Sequence, residues 1–195
     1  EVENESATKR TYTLVATSSN PATDIVSGTA AALALNYLNF GNEEDLKYAK
    51  ALFAFAKSVS AGDRREADYQ TAKGGGNFYH SGYGEWQDEY CLAAALLYKI
   101  TEDETYATEY NSNESNTGDI EKPYGWENAY HAAVFYAPSN SPTKSAQTTT
   151  IRNWFNAKAN ASSSSYYLGD SWGSARVNCN VQFMMMVSDK HAGTN

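Results

Sequence analysis

The chain has 195 residues, with 15 Lys+Arg against 23 Asp+Glu, a net charge of −8 and 15 Tyr. Only 19% of residues are charged while 42% are hydrophobic, which excludes a disordered chain. The acidic balance argues against nucleic-acid binding, which needs clustered Lys and Arg. No apolar run approaches the roughly 18–20 residues that cross a bilayer, so no membrane partner is expected. Two cysteines, Cys91 and Cys179, are too few for a disulfide framework, and both are expected as buried free thiols in helices.

Residues 1–23 form a polar N-terminal segment whose first ten residues hold no apolar signal stretch. Only Thr11 to Val15 carries a strand signal. Pro21 stops regular structure, and Asp24 is a candidate cap for the first helix. Ile25 to Phe40 reads as that helix, with Ala30, Ala31, Ala34, Leu35 and Leu38 on one face, closed by Gly41. Asn42 caps a second helix, with Glu43, Glu44 and Asp45 in its first turn, where the helix dipole favours carboxylates. Its apolar face is Leu46, Ala49, Leu52, Phe53, Ala56 and Val59. Together they predict a helical hairpin over about 24–59.

Residues 60–87 fit neither helical nor strand periodicity. Gly74-Gly75-Gly76 leads into Phe78, Tyr79, His80, Ser81, Gly82, Tyr83 and Trp86. Long loops dense in aromatics are often functional. Asp88-Glu89 opens a third helix, Tyr90 to Ile100. Thr101 and Glu104 have the spacing of a capping box for a short fourth helix through about Glu109. A fifth helix is expected over about 127–136, a sixth over 145–156 and a seventh over 174–188, the last with Met184-Met185-Met186 as core. Between them lie Tyr124-Gly125-Trp126-Glu127 and the second aromatic loop, Tyr166 to Ser174. The class is all-α: helical hairpins whose alternating long loops can gather on one face. Exposed aromatic rings in a groove suit sugars, which stack their C–H faces on π clouds and take polar contacts from neighbours.

Four segments, in this order, resemble the catalytic module of glycoside hydrolase family 9, cellulases built as an (α/α)6 barrel. Arg10-Thr11-Tyr12 through Ser19-Asn20-Pro21-Ala22-Thr23-Asp24 to Thr29-Ala30-Ala31-Ala32-Leu33-Ala34 is similar to R-x-x-Y…S-N-P-G-S-D…T-A-A-A-L-A. Phe78-Tyr79-His80-Ser81 with Asp88-Glu89 and Ala94-Ala95-Leu96-Leu97-Tyr98-Lys99 resembles F-Y-N-S…D-E…A-A-W-L-Y-K. Tyr124-Gly125-Trp126-Glu127-Asn128 resembles F-G-W-D-N, and Trp172-Gly173-Ser174-Ala175-Arg176 matches W-G-x-x-R. The resemblance spans about 9–190.

The resemblance implies residues 24–190 as part of an (α/α)6 barrel, with 191–195 as a tail. It implies a β-1,4-glucan (cellulose) partner, extracellular location and an inverting mechanism. Phe78, Tyr79, His80, Trp126 and Tyr167 are the implied substrate contacts, His80 standing where the family has Asn. Asp88, Glu89 and Glu127, with oxygens of Ser81 and Gly82, are the implied ligands of a structural Ca2+, Glu127 standing in place of Asp. The family's base-holding D-A-G-D and acid-bearing N-E motifs are both absent, so no catalytic residue is assigned. About seven helices, against the twelve of six hairpins, lead to the expectation that the chain is the middle of a larger barrel, inactive alone and completed by further chain. A non-catalytic carbohydrate-binding or structural protein on the same barrel is the alternative reading, and another α/α-toroid sugar enzyme a third.

Overall fold

A computed structural model describes residues 15–67, 86–114, 124–125, 128–160 and 174–192. The described residues form seven helices: α1 Thr23–Phe40, α2 Glu43–Ser58, α3 Gln87–Thr101, α4 Glu104–Asn113, α5 Tyr130–Tyr136, α6 Lys144–Asn160 and α7 Ser174–Ala192. Extended pairing among them is limited to two isolated bridges, Thr17–Asn20 and Gly125–Asn128.

The packing order gives the architecture. α1 packs on α3, α3 on α5, and α5 on α7. The even-numbered helices lie outside this row: α2 against α1 and α3, α4 against α3, α6 against α5 and α7. An inner row of alternate helices backed by an outer row is the arrangement of an (α/α)6 barrel, and these helices are part of one. The inner helices carry small side chains because they are closely surrounded. Every residue of α3 from Tyr90 to Leu97 is buried, and Ala30, Ala31 and Ala34 of α1 share its core. Short side chains let backbones approach, and the burial of many such groups outweighs their individually modest hydrophobic gain.

Several ends form as the sequence implies. Gly41 closes α1 at φ 70, donating to the Tyr37 carbonyl at 2.8 Å. Asn42 Oδ1 accepts from Glu44 N at 3.1 Å. Other ends differ. α1 starts at Thr23 with no side-chain cap, and Asp24 instead accepts from Ala67 N at 2.8 Å, holding the chain that leaves α2. The expected capping box does not form, because Thr101 still belongs to α3 and donates to Leu97 O, so Asp103 caps α4 through Thr105 N at 2.9 Å. α4 runs on to Asn113. α5 is shorter than expected: Asn128 pairs with Gly125 in an isolated bridge, and the Ala129 and Tyr130 amides at the helix start are capped by Asp88 Oδ2 and Asn128 Oδ1, both at 2.7 Å. α6 and α7 run to Asn160 and Ala192, so α7 extends into the expected tail. Of the Thr11 to Val15 strand signal only Val15 is described, and it is outside any strand.

Cys91 is buried, with burial pushing its thiol up, but Cys179 is exposed because it lies on the solvent side of α7. The methionine run likewise circles the helix. Met184 is core, whereas Met186 is 71% exposed. Buried Glu114, at the end of α4, accepts from Ser141 Oγ at 2.8 Å and Thr143 Oγ1 at 2.6 Å, which anchors the turn before α6.

Among the described residues, two other than glycine take left-handed backbone, Ala22 at φ 44 and Glu102 at φ 56. That region costs an L-residue ~1–2 kcal/mol, against ~0.5–1 kcal/mol of entropy lost by Gly on folding. Exposed Glu102→Gly is therefore expected to raise stability by roughly 0.5–1 kcal/mol in urea unfolding. At Ala22, where the family pattern has Gly, the same exchange also removes a buried methyl worth about 0.8 kcal/mol and is expected to be near neutral.

Candidate functional site

The first turn of α3 carries the acid pair. Its N-cap Trp86 is buried, and Asp88 and Glu89 occupy the positions where the helix dipole favours carboxylates. Asp88 is 2% exposed, and its Oδ2 accepts from Ala129 N, linking α3 to the start of α5. Glu89 faces α1, where a side chain at position 28 would reach Glu89 Cγ at 3.5 Å; Gly28 leaves that room.

The two carboxyls are neighbours on one helical turn and act on each other. Burial pushes Asp88 above its ordinary value, opposed by its interaction with Glu89 and by backbone amides. Burial, then the Asp88 charge, hold Glu89 well above the usual carboxylate range, and Asp24 adds to this. Tyr124 is raised chiefly by burial, with the Glu89 charge contributing. The Asp24 charge on α1 thus reaches the acid pair of α3 across the helix interface. No Lys, Arg or His among the described residues forms an ion pair with Asp88 or Glu89. Two desolvated carboxylates without a basic partner are an unfavourable arrangement unless protonated or neutralised by a cation. They offer hard oxygen donors, as calcium prefers. Among the described residues no group of three or more His, Cys, Asp or Glu is placed to hold a metal ion, so the remaining ligands of such a site would come from elsewhere.

Of the expected site residues, Asp88 and Glu89 fall within the described residues and lie together. Phe78, Tyr79, His80, Ser81, Gly82, Trp126, Glu127 and Tyr167 lie outside them. The sequence reading missed three neighbours. Asp24 reads from sequence as a cap, yet its carboxylate holds Ala67 N and its charge acts on Glu89; its place in the S-N-P-x-x-D segment was the available signal. Asn180 of α7 donates to Tyr124 O at 2.5 Å, tying the segment before Trp126 to the last helix. Arg64 packs behind the acid turn, 4.6 Å from the Tyr90 ring and 5.6 Å from that of Trp86. No motif marks it. Arg176, matched to W-G-x-x-R, is half-buried near the start of α7.

The glycosyl hydrolase family 9 model matches residues 2–195. Endoglucanase 2 of Arabidopsis thaliana is 35% identical over 125 residues, which are 62% of this chain and 23% of that protein. Endoglucanase B of Cellulomonas fimi is 28% identical over 183 residues, 86% of this chain and 17% of that protein. Among solved structures, the catalytic domain of CelT from Clostridium thermocellum superposes with a TM-score of 0.75 at 26% identity, covering 92% of this chain and 41% of that one. Endoglucanase CelQ from Clostridium thermocellum, in complex with cellotetraose, shares the fold with a TM-score of 0.62 at 18% identity, covering 88% of this chain and 33% of that one. The chain thus spans less than a quarter of these curated relatives and about two fifths of the CelT domain. No helix among the described residues is long and apolar enough to cross a membrane. The inner and outer helix rows, the acid pair at the head of α3 and the match along 2–195 agree: the chain belongs to glycosyl hydrolase family 9.

Proposed function

We propose that the chain is a section of a secreted, inverting endo-β-1,4-glucanase that hydrolyses cellulose. The family match across residues 2–195 carries this reading. Inversion needs an acid and a base on opposite faces of the scissile bond, about 6.5–9.5 Å apart. Asp88 and Glu89 cannot supply them, because they are adjacent on one turn of α3 and Asp88 also holds Ala129 N. The catalytic base and acid are assigned to chain beyond these 195 residues. The role left to this stretch is binding and shape. Phe78, Tyr79, His80, Trp126 and Tyr167 border the sugar subsites, the aromatic faces stacking on glucose rings and His80 bonding a hydroxyl. That the matched relatives are endoglucanases, and that the similarly folded CelQ is known with cellotetraose, supports a glucan ligand.

Asp88 and Glu89 are further proposed to hold a structural Ca2+ together with Glu127 and oxygens of Ser81 and Gly82. The donor chemistry supports this: two adjacent carboxyl groups, sequestered and with no basic partner among the described residues, gain most from a divalent cation. When bound, the cation would supply charge neutralisation and a fixed junction between the aromatic loop and α3.

Three outcomes are expected. The 195-residue chain should release no reducing sugar from carboxymethylcellulose, whereas a longer polypeptide containing it should; activity of the short chain would overturn the assignment of both catalytic groups to flanking sequence. EDTA should lower the melting temperature and calcium restore it, because a ligand bound only to the native state stabilises it. An unchanged melt sinks the cation site. The third concerns pH without calcium. Glu89 is raised above its ordinary 4.5, so the folded state holds a proton that the unfolded state has released. Its contribution to stability is complete below about 4.5 and is lost as pH rises through the raised value. In EDTA, the stability difference between wild type and Glu89→Gln should therefore widen against wild type as pH is raised from 5 to 7, read from thermal melts.

A further inference from the structure

We propose that Arg64 is the positioning residue of the Asp88–Glu89 site, setting its geometry from behind without touching either carboxyl; this rests on the calcium reading above. The Arg64 side chain is 7% exposed and every face of it is engaged. Its Nε and Nη2 donate at 3.1 Å to the Val59 and Lys57 carbonyls, which ends α2. Its charge meets Glu109 of α4 at 3.9 Å, and Lys57 meets the same carboxylate at 3.3 Å. The flat guanidinium also lies over the Tyr90 and Trp86 rings, 4.6 and 5.6 Å from their centroids.

Those two rings bracket the acid pair. Trp86 and Tyr90 are one helical turn apart, edge to face at 5.5 Å, and Tyr90 N donates to Trp86 O at 3.2 Å. Asp88 and Glu89 lie between them on the same turn, so their backbone directions are set by where the rings sit. Tyr90 closes the assembly by donating its hydroxyl to Glu109 at 2.7 Å. One guanidinium therefore joins the end of α2, the first turn of α3 and the middle of α4. Its influence is geometric rather than electrostatic. The charges acting on Glu89 are those of Asp88 and Asp24, whereas Arg64 pairs with Glu109. A lysine could keep the ion pair, but it could not serve two carbonyls and two rings in one plane.

The test compares the wild-type chain with Arg64→Lys and Glu109→Gln, using calcium titration by calorimetry and thermal melts in EDTA and in calcium. A merely structural arginine would lower the melting temperature by the same amount in both buffers. A positioning arginine should weaken calcium affinity by about tenfold, as loss of outer-shell support at metal sites does, and shrink the calcium-induced rise in melting temperature. Glu109→Gln keeps an acceptor for Tyr90 and removes the ion pair, so a smaller loss in the same direction is expected, which holds the test open should Arg64→Lys fold poorly. Wild-type calcium binding with both variants equal to it overturns the role of Arg64. Absence of calcium binding in the wild type overturns the cation site itself, and the positioning role with it.

Discussion

The burial of α3 on all sides is the constraint on which the other features depend. A helix surrounded by four others cannot keep a polar face, and Tyr90 to Leu97 are accordingly Ala, Leu, Cys and one Tyr. Only its ends can carry charge. The C-terminal end meets solvent at Lys99. The N-terminal end is more covered, with Asp88 buried and Glu89 half-buried. The candidate site is therefore a by-product of where the central helix begins. Its acids are displaced from ordinary behaviour because the helix they start is wrapped and no basic side chain among the described residues pairs with them.

Local rules made much of the fold legible. The spacing of Ala30, Ala31 and Ala34, the glycine at 41 and the asparagine at 42 each act within one turn of chain, so α1, α2 and the hairpin between them could be read directly. The ends that misled are those fixed by distant partners. Asp24 looks like a cap, but its oxygen is claimed by Ala67, 43 positions on. The start of α5 is fixed where Asp88, 41 positions earlier, holds the Ala129 amide. Neither contact leaves a trace in periodicity. Cys179 and Met186 misled for a related reason: in a two-row shell an inner helix is covered unevenly, and apolar composition alone does not say which side faces out.

At the site the same division holds. Two adjacent acids opening a helix are visible in sequence, and so is the resemblance that gives them a role. Their company is not visible. Asp24 comes from α1, Tyr124 from a short turn, and Arg64 from a segment with no motif; a fold is needed to bring them together. The aromatic residues Phe78, Tyr79, His80, Trp126 and Tyr167 lie outside the described residues, so for them the sequence names chemistry without geometry.

The two-row packing has a consequence for how such a chain holds together. Each inner helix touches only the next inner helix and its own backing helices, so free energy is added hairpin by hairpin, as in linear repeat proteins. Cooperativity then depends on how well each junction is joined. The junction of α1 to α4 has a shared core, the Arg64 cluster and an aromatic contact between Phe53 and Tyr90 at 4.8 Å. The α6–α7 pair joins the same core through Ile151, Trp154, Phe155, Val181 and Met184, but packs on α5, the shortest of the described helices. Opening should thus be graded along the chain rather than all at once, with the first two hairpins acting as the rigid unit to which later helices are added.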